Sequence, residues 1–247
     1  MATGEQLLEI GGRFTGDAAL SPDGKSLATT MIGGAIKIWD TTTGGEMKTL
    51  MDNSQSNFQP LAYSPDGIYL ADASYDEAMI RIWDTGASQI VKTLNTGSQI
   101  ISIVYSHNRK LIATAHEDAT VKVWDVTTGV QLFNLLGHTG FTYGVAFSPD
   151  DHYLASSSAD GTAKIWNVAD NFTSQPLTLY GHTNALFGVV FSPDGTRFVT
   201  ASRDGTARVY AFKIEDLVAL AKQHVTRSLT TAECQQYLHV ETCPTQP

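Results

Sequence analysis

One short pattern recurs five times along the chain at nearly constant spacing. The segments AIKIWD, IRIWD, VKVWD and AKIWN each place a tryptophan directly before Asp or Asn, and ARVYAF places a tyrosine at the fifth position. These aromatic residues are separated by 41 to 44 residues, and they are Trp39, Trp83, Trp124, Trp166 and Tyr210. Such a period indicates a repeat architecture in which each unit is one supersecondary structure.

Each unit carries a second marker in the same phase, an apolar residue followed by Ser-Pro-Asp-Gly or a variant of it. The marker occupies 20–24, 63–67, 105–109, 147–151 and 191–195. Proline fixes one backbone dihedral and glycine accepts a positive φ, so the marker predicts a tight turn. With the segments around it, each unit reads as four short strands, which is typical of a β-propeller blade. We therefore expect an all-β propeller of four-stranded antiparallel blades.

Residues 4 to 213 resemble the WD-repeat (WD40) family, and Gly137-His138 and Gly181-His182 match its Gly-His motif. In that family a His, a Ser or Thr of the second strand, a turn Asp and the Trp form a buried hydrogen-bonded relay. Buried polar groups are tolerated when they satisfy one another. The resemblance implies two relays here, with Tyr210 replacing the second Trp: His138, Ser158, Asp160 and Trp166, and His182, Ser202, Asp204 and Tyr210.

The first three units depart from this pattern. Thr96 stands at the His position of the third unit, the second has one extra residue before Trp83, and Gly33 stands at the Asp position of the first. We expect these units to depend more on apolar packing.

Five units are enough for a propeller, since these rings contain about four to eight blades. The predicted blades span about 15–51, 57–94, 98–136, 141–180 and 185–213. Residues 5–10 resemble the outer strand that follows Trp124, and we expect them to complete the last blade because unpaired strand edges are disfavoured. This predicts a closed five-bladed ring. The alternative is a fragment of a longer array whose other blades lie upstream.

After residue 213 the apolar period changes from two to about 3.6, which predicts a short helical C-terminal tail over 214–247. This tail resembles the end of some bacterial multidomain WD-repeat proteins. It contains both cysteines, Cys234 and Cys243. With His239 they lack a defensible metal-site spacing and a fourth ligand, so we expect no metal. A Cys234–Cys243 disulfide and simple buried thiols remain open.

Charge and composition restrict the partners. The 16 basic and 25 acidic residues give a net charge of −9, which repels phosphate backbones and anionic lipid. The sequence has no signal-peptide pattern and no apolar run long enough to cross a bilayer. We expect a cytoplasmic protein that binds neither nucleic acid nor membranes.

No arrangement of residues predicts an active site. His138, Ser158 and Asp160 suggest a triad, but the repeat explains them as relay members. The carboxylates of the Ser-Pro-Asp-Gly turns each stand alone, unlike a calcium-binding loop. We therefore expect no enzyme activity, no cofactor and no small-molecule substrate, and we keep a metal-dependent propeller enzyme only as a distant alternative.

The WD-repeat resemblance implies that one rim of the ring binds a partner. Aromatic residues and Arg are enriched at interface hot spots, and several occupy the implied positions. The alternative for each position is a place in the inner-strand core. The implied rim residues are Phe14, Asn57, Gln59, Tyr75, Gln99, Ile101, Glu117, Phe141, Tyr143, Ala185, Phe187 and Arg203.

We therefore predict a non-catalytic scaffold that binds a protein or a peptide on the propeller rim. The alternative function is a sensor or regulatory module of a larger bacterial signalling protein.

Overall fold

The computed structural model describes residues 9–11, 14–51 and 59–212, with the backbone alone for residues 14 and 15. The chain divides into two units, Met1–Tyr210 and Ala211–Pro247. The predicted tail over 214–247, with Cys234 and Cys243, lies outside the described residues, as does Asn57. Of the outer strand predicted at 5–10, only Glu9 and Ile10 are described, and neither is part of a strand.

The described residues form five separate antiparallel sheets, numbered here in chain order, and the strands within each sheet follow one another along the chain. Sheet 1 contains β1 (Phe14–Leu20), β2 (Ser26–Met31), β3 (Ile36–Asp40) and β4 (Glu46–Leu50). Sheet 2 contains β5 (Leu61–Tyr63), β6 (Tyr69–Ser74), β7 (Met79–Asp84) and β8 (Gln89–Asn95). Sheet 3 contains β9 (Ile100–Tyr105), β10 (Leu111–His116), β11 (Val121–Asp125) and β12 (Gln131–Leu135).

Sheet 4 contains β13 (Thr142–Phe147), β14 (Tyr153–Ser158), β15 (Ala163–Asn167) and β16 (Leu177–Leu179). Sheet 5 contains three strands in the described region, β17 (Leu186–Phe191), β18 (Arg197–Ser202) and β19 (Ala207–Ala211). The all-β class and the repeated antiparallel blades predicted from the sequence are confirmed.

The predicted tight turns join the first two strands of each sheet. In the first turn, Asp23 Oδ1 accepts hydrogen bonds from Ser21 Oγ at 2.7 Å and from the Lys25 amide at 3.0 Å. Gly24 has a φ of 71°, a conformation that glycine adopts without a steric penalty. Arg109 and Asp151 replace this glycine in two units and keep the positive φ, at 65° and 58°. The turn geometry therefore persists where its sequence has diverged.

The sheets are held together by apolar contacts between their faces. Between sheets 3 and 4, Val121 and Val123 pack in one buried cluster with Phe147, Leu154 and Trp166. Equivalent clusters join sheet 2 to sheet 3 and sheet 1 to sheet 2. In all three, the tryptophan packs against the preceding sheet. Sheets 2 and 3 thus bury both of their faces against neighbouring sheets.

The inner strands surround one central cavity of about 310 Å³. It is lined by residues of all five units, among them Gly16, Pro60, Ile101, Tyr143 and Phe187. A common cavity is the arrangement expected of propeller blades.

The two ends of the series of sheets remain accessible. The residue before the repeated aromatic is buried in sheet 4, where Ile165 is 5% exposed, but Val209 in sheet 5 is 66% exposed. At the other end, Leu20 is 59% exposed, whereas its counterparts Tyr105 and Phe147 are buried. Direct packing of sheet 5 on sheet 1, which would close the ring, stays a prediction.

Sheet 4 contains a complete relay. Trp166 Nε1 donates to Ser156 Oγ at 2.9 Å, Ser156 Oγ lies 2.8 Å from His138 Nε2, and His138 Nδ1 lies 2.9 Å from Asp160 Oδ2. A carboxylate only accepts hydrogen bonds, so Nδ1 carries the proton and Nε2 accepts from the serine hydroxyl. Burial lowers the pKa of His138, although the bond with Asp160 opposes this effect.

The serine predicted for this relay was wrong by two positions. Ser158 instead donates to the carbonyl of Gly140 at 2.9 Å and accepts a bond from the Asp160 amide at 3.1 Å. Both serines lie on the same face of β14, but Leu154 pairs with Trp166, which leaves Ser156 as the hydroxyl within reach of the indole.

Sheet 5 repeats this arrangement with the same shift. His182 Nε2 lies 2.8 Å from Thr200 Oγ1, and His182 Nδ1 lies 2.8 Å from Asp204 Oδ2. The predicted Ser202 instead donates to the carbonyl of Ala185 at 3.0 Å. Tyr210, in place of the tryptophan, packs its ring against Phe198 with centroids 6.1 Å apart.

Sheet 3 obtains its histidine from a different position. Trp124 Nε1 donates to Thr114 Oγ1 at 3.0 Å, and Thr114 Oγ1 lies 2.7 Å from His116 Nε2. His116 Nδ1 lies 2.9 Å from Ser98 Oγ, to which Lys122 Nζ also donates at 2.9 Å. This unit therefore has a relay of its own, which the sequence pattern did not predict, in addition to its apolar packing.

Sheets 2 and 1 use still other acceptors. Trp83 Nε1 donates to Asp72 Oδ1 at 2.5 Å, and Arg81 lies 3.4 Å from the other oxygen of this buried carboxylate while also pairing with Glu77. In sheet 1, Trp39 Nε1 donates to Thr29 Oγ1 at 2.8 Å. In all four cases the acceptor side chain is ten or eleven positions before the tryptophan.

Replacing Ser156 with Ala tests the assignment of the relay hydroxyl. The change leaves Trp166 Nε1 and His138 Nε2 without their partner, and each buried polar group left unsatisfied costs about 1–3 kcal/mol. We expect the free energy of unfolding, measured by urea denaturation, to fall by about 2–4 kcal/mol. Ser158→Ala is the matched control and should cost less. Equal losses for the two variants would contradict the assignment.

The stability of sheet 3 should depend on pH through His116. Burial, with Lys122 nearby, lowers its pKa from 6.5 to about 4. Between these values the unfolded chain binds a proton that the folded chain does not, so stability falls as the pH falls from 6.5 towards 4. His116→Gln removes this contribution. At neutral pH the native chain should be more stable than the variant. Urea titrations should show this difference in unfolding free energy becoming smaller as the pH falls from 6.5 towards 4. A constant difference would show that His116 does not titrate this way.

Candidate partner-binding rim

The inner-strand starts and the second hairpin turns lie at the same end of their sheets. The amides of Glu117, Ala159 and Arg203 donate to the carbonyls of Gln99, Phe141 and Ala185, at 3.2, 2.8 and 2.8 Å. These bonds connect each turn to the residue that precedes the inner strand. We call this end the turn rim; it comprises 59–61, 99–101, 141–143 and 185–187 with the turns 75–78, 117–120, 159–162 and 203–206.

A β-bulge shapes three consecutive inner strands at this rim. In β9, β13 and β17 the pairing with the second strand skips one residue, which is Ile101, Tyr143 or Phe187. An extra residue leaves the regular ladder and often redirects a side chain. All three bulge residues line the central cavity. The bulges therefore place one side chain per sheet at the centre of the rim.

Sheets 4 and 5 bring three aromatic side chains together there. The ring centroids of Phe141 and Tyr143 are 6.5 Å apart at 81°, and those of Tyr143 and Phe187 are 5.2 Å apart at 56°. Phe141 is 44% exposed and Phe187 is 52% exposed. A Cβ atom on Gly144 would lie 3.4 Å from the Cα of Gly188, so a small residue lets the two inner strands approach. The cluster is an accessible surface rather than part of the core.

Sheets 2 and 3 contribute polar groups to the rim. The hydroxyl of Tyr75 donates to Glu117 Oε1 and links the two hairpin turns, and this bond raises the pKa of Tyr75. Desolvation at the turn opposes the ionisation of Asp118, but the hydroxyls of Thr120 and Ser98 and the Lys122 ammonium lower its pKa to about 2. Asp118 therefore carries a negative charge at neutral pH.

The other predicted rim residues differ in accessibility. Gln99 and Arg203 are exposed, whereas Ile101 and Ala185 are half-buried. The prediction for Gln59 was wrong, because its side chain is fully buried. Its backbone lies close against sheet 1, where a Cβ atom on Gly16 would be 3.3 Å from Gln59 N. The side chain of Phe14 and the whole of Asn57 lie outside the described residues.

Sequence reasoning missed Asp17 as a cavity residue. Its carboxylate accepts hydrogen bonds from the Leu61 amide at 3.0 Å and from the Ala18 amide at 2.8 Å, and it lines the cavity. The signal that could have revealed it is the register shift between Phe14 and Ala18 in β1, and no sequence motif marks this shift.

Metal-binding clusters and membrane-spanning helices are both absent from the described residues. No cluster of three or more His, Cys, Asp or Glu side chains is arranged to hold a metal ion. No helix in this part of the chain combines the length and the hydropathy needed to cross a bilayer.

Comparison with known proteins agrees with this architecture. The family model described as "WD domain, G-beta repeat" matches residues 88–125, 129–167 and 173–211. Each match begins in or before the outer strand of one sheet and ends at the repeated aromatic strand of the next. The sequence unit is thus displaced by one strand from the structural sheet.

Similar proteins come from a plant and from fungi. WD repeat-containing protein VIP3 of Arabidopsis thaliana is 28% identical over 57% of this chain and 48% of its own length. COMPASS component SWD3 of Saccharomyces cerevisiae is 29% identical over 49% of this chain and 38% of its own. Nuclear distribution protein PAC1 of Arthroderma benhamiae is 30% identical over 55% and 32%. The matches span less than half the length of these relatives. The matched repeats, the five antiparallel sheets and the similar proteins together show that this chain belongs to the WD-repeat family.

Proposed function

We propose that this chain is a non-catalytic scaffold that binds a protein or a peptide at the turn rim. The observation that carries the proposal is the aromatic cluster of Phe141, Tyr143 and Phe187 at the central cavity, two of whose rings are about half exposed. Large aromatic side chains supply much of the binding energy at protein interfaces. Exposing them in the free protein is most easily explained by a partner that covers them.

The rim is also held in a fixed geometry. The bulge residues are flanked by paired residues on both sides, as at Tyr143, where Thr142 pairs with Ser158 and Gly144 pairs with Ser157. The relay also fixes the same end of sheet 4. The Asp160 carboxylate, bonded to His138, accepts a second hydrogen bond from the Thr139 amide at 3.0 Å. A surface that is already ordered loses less entropy when a partner binds.

The relatives favour a role within an assembly. The yeast relative is by name a component of COMPASS, and WD-repeat proteins generally act as interaction scaffolds. This supports protein or peptide partners for the present chain.

Substituting the exposed aromatic residues tests this function. We expect the Phe141→Ala/Phe187→Ala double variant to lose at least about tenfold in affinity for a protein captured by the native chain, since such anchors contribute about 2 kcal/mol or more each. Both rings are substantially exposed, so the urea midpoint should change little. The measurement is a titration of the captured partner by surface plasmon resonance.

The matched control is Ile68→Ala/Leu132→Ala, which removes two apolar side chains of similar exposure outside the turn rim. It should bind as the native chain does. A partner that binds the Phe141/Phe187 variant normally but fails to bind this control would place the interface elsewhere and overturn the proposal.

A further inference from the structure

The turn rim is divided into an aromatic part and an acidic part. The aromatic cluster belongs to sheets 4 and 5. The second hairpin turns of sheets 2 and 3 each carry two adjacent carboxylates. These carboxylates are Asp76, Glu77, Glu117 and Asp118. Asp76, Glu77 and Asp118 are exposed, and Glu117 is half-buried. A bound segment would therefore meet different chemistry in the two parts.

Little positive charge opposes these carboxylates at the rim. Arg81 and Lys122 pair with Glu77 and Asp118, but both cations are largely buried below the turns. Within the ranges that define the turn rim, Arg203 of sheet 5 is the single Lys or Arg side chain. The chain as a whole carries a net charge of −9. The four carboxylates of these turns outnumber the two cations that pair with them, and an excess of negative charge attracts cationic groups and repels phosphate.

The cavity beside the aromatic cluster can accept a side chain. Its volume of about 310 Å³ is at the lower end of the range for ligand pockets. Ile101, Tyr143 and Phe187 contribute apolar side chains to its lining, and polar groups, among them Asp17, line it as well. Aromatic rings favour edge-to-face or offset contact with another ring. An aromatic or large aliphatic side chain therefore fits the centre of the rim.

We propose that the turn rim binds a basic peptide segment that inserts one large apolar side chain into the central cavity and places Lys or Arg side chains against the carboxylates of sheets 2 and 3. This inference rests on the proposed scaffold function and specifies the chemistry of its partner. The juxtaposition of the aromatic cluster with Asp76, Glu77, Glu117 and Asp118 on one rim carries it.

Three fluorescein-labelled synthetic peptides test the proposal on the full 247-residue chain. The first has the sequence Lys-Arg-Gly-Phe-Gly-Lys-Arg, the second replaces Phe with Ala, and the third replaces the four cations with Glu and Asp. Fluorescence anisotropy gives each dissociation constant at low and at high salt. We expect the first peptide to bind at least about tenfold more tightly than either of the others, a difference of about 1.4 kcal/mol. Its affinity should fall as salt screens the charges.

Amide variants separate charge from shape. Asp76→Asn/Glu117→Gln removes two negative charges and keeps the oxygen that accepts the Tyr75 hydroxyl, so we expect about fivefold weaker binding of the first peptide. The matched control, Asp150→Asn/Asp194→Asn, removes two charges from the Ser-Pro-Asp turns at the opposite end of the sheets. It should leave the affinity unchanged.

The outcomes distinguish this inference from the scaffold function. Equal binding of the basic and acidic peptides, or no binding of the basic Phe peptide at millimolar concentration, would overturn the proposed partner chemistry. The scaffold function would still stand if Phe141→Ala/Phe187→Ala lost a captured protein. If that variant kept its partner as well, both proposals would fail.

Discussion

The structure depends on the burial of apolar faces between neighbouring sheets. Sheets 2 and 3 illustrate this, because Ile80 and Ile82 of one pack against Ile112 and Trp124 of the other. Burying a large apolar side chain contributes about 1.5–3 kcal/mol, but a single sheet can bury neither of its faces alone. Stability is therefore approximately a sum over neighbouring sheets, as in other repeat proteins. At the two ends of the series, Val209 and Leu20 are exposed, whereas the equivalent positions Ile165 and Phe147 are buried.

Burying a tryptophan in each of four units creates a polar requirement, since the indole N–H must find an acceptor. The four units with tryptophan meet it with Thr29, Asp72, Thr114 and Ser156. The side chains that bond to the acceptor, directly or through one another, differ between sheets. They are His138 and Asp160 in sheet 4, His116 and Ser98 in sheet 3, and Arg81 in sheet 2. The invariant feature is thus the acceptor, and the histidine relay is one of several ways to satisfy and orient it. This explains how the first three units fold without the Gly-His motif.

Much of this was predictable from residue patterns, and the failures have definite physical causes. The tryptophan period and the Pro-Asp-Gly turns place the strands well, because alternation and turn chemistry act locally. Ser156 and Ser158 could not be separated, since both lie on one face of β14 and only the pairing of Leu154 with Trp166 selects the first. His116 belongs to no motif, and its relay exists only because β9 brings Ser98 beside it. Gln59 occupies a rim position but its side chain is fully buried, which its place in the repeat does not reveal.

The bulges separate the rim positions that we propose bind a partner from the positions that are buried in the fold. At Tyr143 and Phe187 one residue is released from the ladder, while Val145 and Phe191 further along the same strands are buried. A substitution at the bulge changes what the cavity presents, but it does not alter the register of the residues that pack between sheets. The half-exposed Phe187 and the fully buried Leu186 are adjacent in sequence and serve these two purposes separately. Because the bulge separates them, selection for a new partner can act on the rim while the apolar contacts between sheets stay the same.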